Sequence, residues 1–303
     1  MSVVIPVYNS ELSLRVLLER LSLVLPTIAR QYEVILVNDG SKDGSWRVIE
    51  ELAERYGWVC GIDMFRNYGQ HNALLCGVRA ARHEIVVTMD DDLQHAPEQL
   101  PLLLDQLASG YDVVYGTPLE HPHELWRNLA SKVTKLALQT AMGAETARKV
   151  SAWRVFRTQL RDSFMDYRSP FLSLDVLLTW GTTRFSSVAV THEPRKLGKS
   201  NYTFRKLITH ALNMMTGFSV LPLQMASVIG FAFTLFGIGV LAYVVIRYLL
   251  HGSAVAGFPF LASTIAIFSG AQLFALGIIG EYLARMHFRM MERPTYTVRT
   301  RTR

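Results

Sequence analysis

Short apolar runs rich in β-branched residues alternate with longer amphipathic stretches over the first two-thirds of the chain. The runs at 2–7, 33–37, 84–89 and 112–115 have the length and composition of buried strands. Between them, 11–25, 45–56, 70–81 and 97–107 space their apolar residues at helical intervals. This β-α alternation predicts an α/β fold with a mostly parallel sheet and helices on both faces.

Beyond residue 192 the pattern changes. No Asp, Glu, Lys or Arg occurs between Lys206 and Arg247. Within that interval, 225–246 would span about 33 Å at about 1.5 Å per residue, enough for a hydrocarbon core. A turn-rich break at 251–257 precedes a second apolar run, 258–279. The two predict a transmembrane hairpin; a buried helical pair in a soluble protein is disfavoured by length and lack of charge. Ahead of them, Phe204, Leu207, Ile208, Ala211, Leu212 and Met215 recur at helical spacing, opposite Arg205, Lys206, Thr209 and Asn213. That pattern predicts an amphipathic interfacial helix, with a core-facing helix as the alternative. The expected organisation is a globular unit at 1–194, a juxtamembrane segment at 195–221, two transmembrane helices within 222–282 and a basic tail at 283–303.

Charge sharpens this division. The 303 residues carry a net charge of +6 although half of them are hydrophobic. From Arg195 onward only Glu281 and Glu292 oppose the basic residues, so the part before it is net acidic. A basic excess confined to the apolar third points to an anionic membrane surface and away from nucleic acid, whose binders carry the patch on the folded domain. Two crossings place both basic flanks, 195–206 and 285–303, on the cytoplasmic side. The opening strand pattern has no basic n-region or cleavage signal, so secretion is not expected, and Cys60 and Cys76 resemble neither a disulfide framework nor a zinc site, which fits a reducing compartment.

Candidate chemistry clusters at the expected strand ends. Asp90, Asp91 and Asp92 end an apolar strand abruptly. Adjacent carboxylates repel one another, and ligands of open α/β sheets bind beyond the carboxyl ends of strands. Hard oxygen donors there suit Mg²⁺ or Mn²⁺, which share their coordination with substrate phosphates; a solvated turn capping the next helix is the bland alternative. Asn38-Asp39-Gly40-Ser41 ends another strand in a tight turn, presenting a carboxylate that can accept from a base N–H or a ribose hydroxyl. Arg66-Asn67-Tyr68-Gly69-Gln70-His71 offers donors at a helix start, suited to phosphate or sugar hydroxyls or to simple capping. Residues 195–202 (RKLGKSNY) are dense in cations and small donors just before the amphipathic stretch. No G-x-G-x-x-G or Walker sequence follows any strand, which removes support for dinucleotide and P-loop readings.

In this order, SVVIPVYN, VNDGS, RNYGQH, MDDDLQ, RKLGKSNYTF and two membrane spans resemble family 2 glycosyltransferases acting on polyprenyl phosphates, over nearly the whole chain. Among these the chain is similar to bacterial undecaprenyl-phosphate sugar transferases. The resemblance implies a GT-A fold, a nucleotide-sugar donor, a Mg²⁺ or Mn²⁺ ion and a homotetramer in the bacterial inner membrane with its catalytic part in the cytoplasm. It assigns Asp39 to the nucleotide base and Pro6, Tyr8, Asn9, Asn67, Gln70 and Asp91 to the donor site. Asp90 and Asp92 form the D-x-D and, with Arg195, carry the transfer. Asp92 and Gln94 become the metal ligands, Lys199 and Ser200 phosphate contacts, and Arg127 and Ser131 looser phosphate contacts on a helix.

One position departs from the family pattern. Ser151-Ala152-Trp153-Arg154 matches the end of a D-x-x-[SC]-x-x-R motif, but its aspartate position is Arg148. A lipid phosphate is already ionised near neutral pH, so transfer to it needs little general-base help. A processive polysaccharide synthase would require a Q-x-x-R-W motif and more spans, and a transporter would need more than two spans to enclose a path. A non-catalytic nucleotide-binding module would have no use for the complete acidic cluster.

Overall fold

The computed structural model describes residues 1–118, 150–169, 172–193, 221–251 and 257–302. An eight-stranded sheet runs through the globular part. Its strands are β1 (Ser2–Val7), β2 (Glu33–Asn38), β3 (Val59–Met64), β4 (Ile85–Thr88), β5 (Val113–Pro118), β6 (Arg154–Arg157), β7 (Phe185–Val190) and β8 (Val298–Arg301), in spatial order β7-β5-β6-β4-β1-β2-β3-β8. The central pairs β4/β1, β1/β2 and β2/β3 are parallel, as are β5 and β7. By contrast, β6 runs antiparallel to both its neighbours, and β8 antiparallel to β3.

Alternation along the strands builds two cores. Val3, Ile5 and Val7 face α1 (Leu14–Ile28), α2 (Ser45–Arg55) and α4 (Leu100–Ala108). Val4, Ile35 and Val37 face α3 (Gln70–Ala80) and α5 (Leu174–Gly181) on the other side. Successive side chains of a strand point to opposite faces, so runs buried on both sides are apolar throughout. At Gly77 the helix α3 presses onto the sheet, since a Cβ there would lie 2.3 Å from Val4 Cγ1.

Element ends differ from the sequence reading for local reasons. Helix α1 starts at Leu14, not at residue 11, because Glu11 is held by the next loop: its amide donates to Asp43 and its carboxylate accepts from Gly44 N. It continues through Pro26, which lacks the N–H that would donate to the carbonyl of Ser22, and ends two residues later. A 3₁₀ turn, Pro97–Gln99, precedes α4.

Helices α6 (Leu221–His251) and α7 (Phe258–Met290) are long and apolar enough to cross a membrane, and the apolar stretch of each is unburied. They pack through Phe233 and Phe268, with ring centroids 5.7 Å apart, and Gly237 leaves room for the Phe268 ring. α7 continues beyond the expected end at 279, supported by the i,i+4 pair Glu281–Arg285 at 2.8 Å. The segment read as a basic tail, 283–303, therefore finishes α7 and then forms β8 on the edge of the globular sheet. The amphipathic stretch 204–215 lies outside the described residues.

Candidate active site

The chain crosses back over the sheet between β3 and β4, so β1 and β4 are neighbours at a topological switch point. Tyr8 and Asn9 leave the carboxyl end of β1, and Asp39 that of β2. Asn67 and Gln70 follow β3, and Asp90 to Gln94 follow β4. Pro6 lies within β1, in register with Val37.

Hydrogen bonds tie these ends into one surface. Tyr8 N donates to Asp91 Oδ2 at 3.4 Å, and Gln70 Nε2 to Asp90 Oδ1 at 2.6 Å. Asp92 Oδ1 accepts from Gln94 N at 3.1 Å, closing the acidic turn, in which Leu93 has φ 63°. Asn9, with φ 55°, receives Lys42 N on its side chain at 2.8 Å and donates its own N–H to Ser41. Left-handed backbone at two non-glycine residues marks the strand ends as over-determined by their surroundings, as ligand sites often are.

The Asp39 carboxylate is 3% exposed and accepts from Tyr68 N at 2.6 Å and Gly69 N at 2.8 Å. It thus clamps the β3–α3 loop to the tip of β2. Burial pushes its pKa up to about 6 against those two bonds. Burial also raises Asp91 to about 6, with the Asp92 charge adding to it and Ser10 and Tyr8 opposing it. Beside this turn, burial pulls His95 down to about 4, so its ring is neutral near pH 7. That ring packs 5.4 Å from both Trp153 and His192.

Sequence reasoning missed how Glu193 is placed. Its N–H donates to Gln94 O at 2.9 Å, and an antiparallel bridge pairs His95 with His192. The stretch leading to Arg195 is therefore fastened to the acidic turn. Also missed was Asp175 on α5, whose carboxylate meets Arg154 of β6; a single acid in the apolar run Leu172–Leu178 was the available signal. Arg127, Ser131, Arg148, Arg195, Lys199 and Ser200 lie outside the described residues.

Among the described residues, no cluster of three or more His, Cys, Asp or Glu side chains could by itself cage a metal. The donor set instead fits a small hard cation held by one or two carboxylates with substrate phosphates completing the shell, the usual Mg²⁺ arrangement. A carboxylate offers about four acceptor positions, so the bond from Gln70 to Asp90 is compatible with that role.

Loops from the carboxyl ends of β1, β2, β3 and β4, the last an acidic turn, meet at the switch point of a mostly parallel sheet, the arrangement of a GT-A-type glycosyltransferase domain. Residues 2–168 match Glycosyl transferase family 2, and the chain belongs to that family. Undecaprenyl-phosphate 4-deoxy-4-formamido-L-arabinose transferase of Pseudomonas aeruginosa is 33% identical over 300 residues, covering 98% of this chain and 88% of that protein. The protein of the same name from Klebsiella pneumoniae is 32% identical, covering 98% of this chain and 92% of that one. In fold, the chain is similar to glucosyl-3-phosphoglycerate synthase of Mycobacterium tuberculosis, solved with Mn²⁺ and UDP-glucose. That match has a TM-score of 0.52 at 18% identity and covers 71% of this chain and 76% of the other.

Proposed function

We propose that this glycosyltransferase moves a sugar from a nucleotide-sugar donor, a UDP-sugar, to undecaprenyl or another polyprenyl phosphate. The reaction takes place at the cytoplasmic face of the bacterial inner membrane and yields a lipid-linked sugar for envelope glycan or lipopolysaccharide modification. One observation carries the reading: Glu193 N is bonded to Gln94 O at 2.9 Å, so the residue two places ahead of the basic segment is fastened to the acidic turn. Arg195, the first cation of that segment, follows Glu193 by two residues in the sequence. A cationic segment leading toward two membrane-length helices is thereby joined to the donor loops, as transfer to a lipid phosphate requires.

The charges dictate the mechanism. A phosphate oxygen of the lipid attacks the anomeric carbon, and the bond from that carbon to the donor's diphosphate oxygen breaks, its electron pair leaving with the nucleoside diphosphate. Asp92 and Gln94, with Asp90 beside them, would hold a Mg²⁺ or Mn²⁺ ion, which when bound stabilises the negative charge growing on the leaving diphosphate. The chain's own residues do the aligning: Asp39 fastens the β3–α3 loop to the tip of β2 and Gln70 orients Asp90, while the cations Arg195 and Lys199 and the hydroxyl of Ser200 are the groups assigned to bind the phosphates.

The test is a screen of UDP-sugars with purified protein, undecaprenyl phosphate and Mn²⁺, read by mass spectrometry of the lipid. One donor should give a glycosyl-phosphate lipid of matching mass. Sugar hydrolysis without lipid product, or no turnover with any nucleotide-sugar, would overturn the proposal.

A further inference from the structure

Strand β8 reaches the globular sheet only after the chain has passed through α6 and α7, and it brings a cation to a buried carboxylate. Asp63, at 3% exposure, accepts from Arg299 Nη1 at 3.2 Å and from Asn38 Nδ2 at 2.7 Å. A carboxylate so enclosed needs a counter-charge, and among the described residues Arg299 supplies it. Arg299 also donates through Nη2 to Phe65 O at 3.0 Å, and its guanidinium lies 5.3 Å from the centre of the Phe65 ring.

Asn38 passes this arrangement on to the donor side. Its side-chain oxygen accepts from Ser41 N at 3.3 Å, within the turn that presents Asp39. Gly40 has φ 64° in that turn, and a Cβ there would lie 2.5 Å from Asn67 N, so the turn rests directly on the loop after β3. That loop is held from the β8 side as well: Phe65 N donates to Thr297 O at 3.1 Å. Both loops assigned to the nucleotide therefore stand on one buried carboxylate whose counter-charge arrives from beyond the membrane hairpin.

We infer that Arg299 is a positioning residue for nucleotide binding, acting through Asp63 and Asn38 on the turn that carries Asp39. The inference rests on the donor reading given above. Arg299 belongs to the segment expected to be a basic tail and its side chain is 54% exposed, yet its guanidinium meets one buried carboxylate in a defined geometry. Loss of Arg299 should leave Asp63 without its counter-charge, loosen its hold on Asn38, and weaken nucleotide affinity while sparing the lipid.

The experiment is calorimetry of UDP with Mn²⁺ binding to the full-length protein in nanodiscs, for wild type, Arg299→Ala, Arg299→Lys and Arg301→Ala. Arg299→Ala should bind UDP about tenfold more weakly. Arg299→Lys keeps the charge without the planar fork and should fall between it and wild type. Arg301→Ala removes the same charge from the same strand and should match wild type, and the KM for undecaprenyl phosphate should be unchanged in all three. Where Arg299→Ala does not fold, a weakened UDP affinity of Arg299→Lys at unaltered Tm carries the test. Unchanged UDP affinity in the Arg299 variants, or an equal loss in Arg301→Ala, overturns the inference. Absence of UDP binding by the wild type would instead overturn the donor reading beneath it.

Discussion

Arg154 on β6 and Asp175 on α5 form an ion pair at 2.7 Å between the sheet and that helix, both almost wholly screened from solvent. The Tyr115 hydroxyl donates to the same carboxylate oxygen at 3.1 Å. Arg154 opens β6 opposite Thr88, and the preceding Trp153 packs on His95, so the pair underpins the acidic turn from below. Removing one partner of a buried pair strands the other charge. Asp175→Ala should therefore cost about 3–5 kcal/mol, read as a large drop in the Tm of the globular part. A Tm within a few degrees of wild type would show that Arg154 finds another partner.

The acidic turn should tolerate loss of a charge better than the reaction does. Asp92→Asn should reduce transfer at least about 100-fold, while the Tm without metal stays level or rises because carboxylate repulsion is relieved. Steady-state kinetics in Mn²⁺ and unfolding in its absence give the two readouts. Excess EDTA should silence the wild type equally; full activity in EDTA would remove the cation from the mechanism.

The pKa of Asp39 supplies a pH signature. Its carboxyl titrates at about 6 in the fold against 3.8 for the unperturbed group. The ionised form is thus disfavoured by folding: the penalty is absent below the unfolded value, grows between the two and is complete above the folded one. Wild type should gain stability from this group as pH falls from 8 to 5, and Asp39→Asn, which cannot titrate, should not. The Tm of Asp39→Asn relative to wild type should therefore decline over that range. The comparison within the range cancels any constant cost of altering the bonds from Tyr68 and Gly69.

Arg195 and Arg293 separate a defined phosphate contact from surface charge. Arg195→Ala should raise the KM for undecaprenyl phosphate about 10- to 100-fold, as expected for loss of a charge-assisted bond. Arg293 lies exposed in the link between α7 and β8. Arg293→Ala should cost about 1 kcal/mol or less of lipid attraction. Kinetics of both variants in one bilayer composition decide the matter, and equal effects would dissolve the proposed phosphate site.

Much of this architecture was legible where one physical signal dominated. The central strands are buried on both faces and so read as unbroken apolar runs, and the carboxylates of Asp90, Asp91 and Asp92 stand out after one of them. Periodicity failed where a strand owes its existence to a neighbour. Val298–Arg301 is a polar, basic sequence that forms β8 only because the edge of β3 offers backbone partners. Likewise β6 has four residues and is set by antiparallel pairing on both sides. Long-range partners were invisible for the same reason: nothing local to Asp63 announces Arg299, and nothing local to Gln94 announces Glu193.

The position of β8 also governs how the catalytic part can be handled apart from α6 and α7. Without β8, β3 becomes an outer strand whose unpaired N–H and C=O groups, at Gly61 and Phe65 among others, are a template for pairing with another copy. A soluble fragment ending before Leu221 exposes that edge and invites aggregation. One in which a short linker replaces α6 and α7 while Val298–Arg301 is retained keeps it covered.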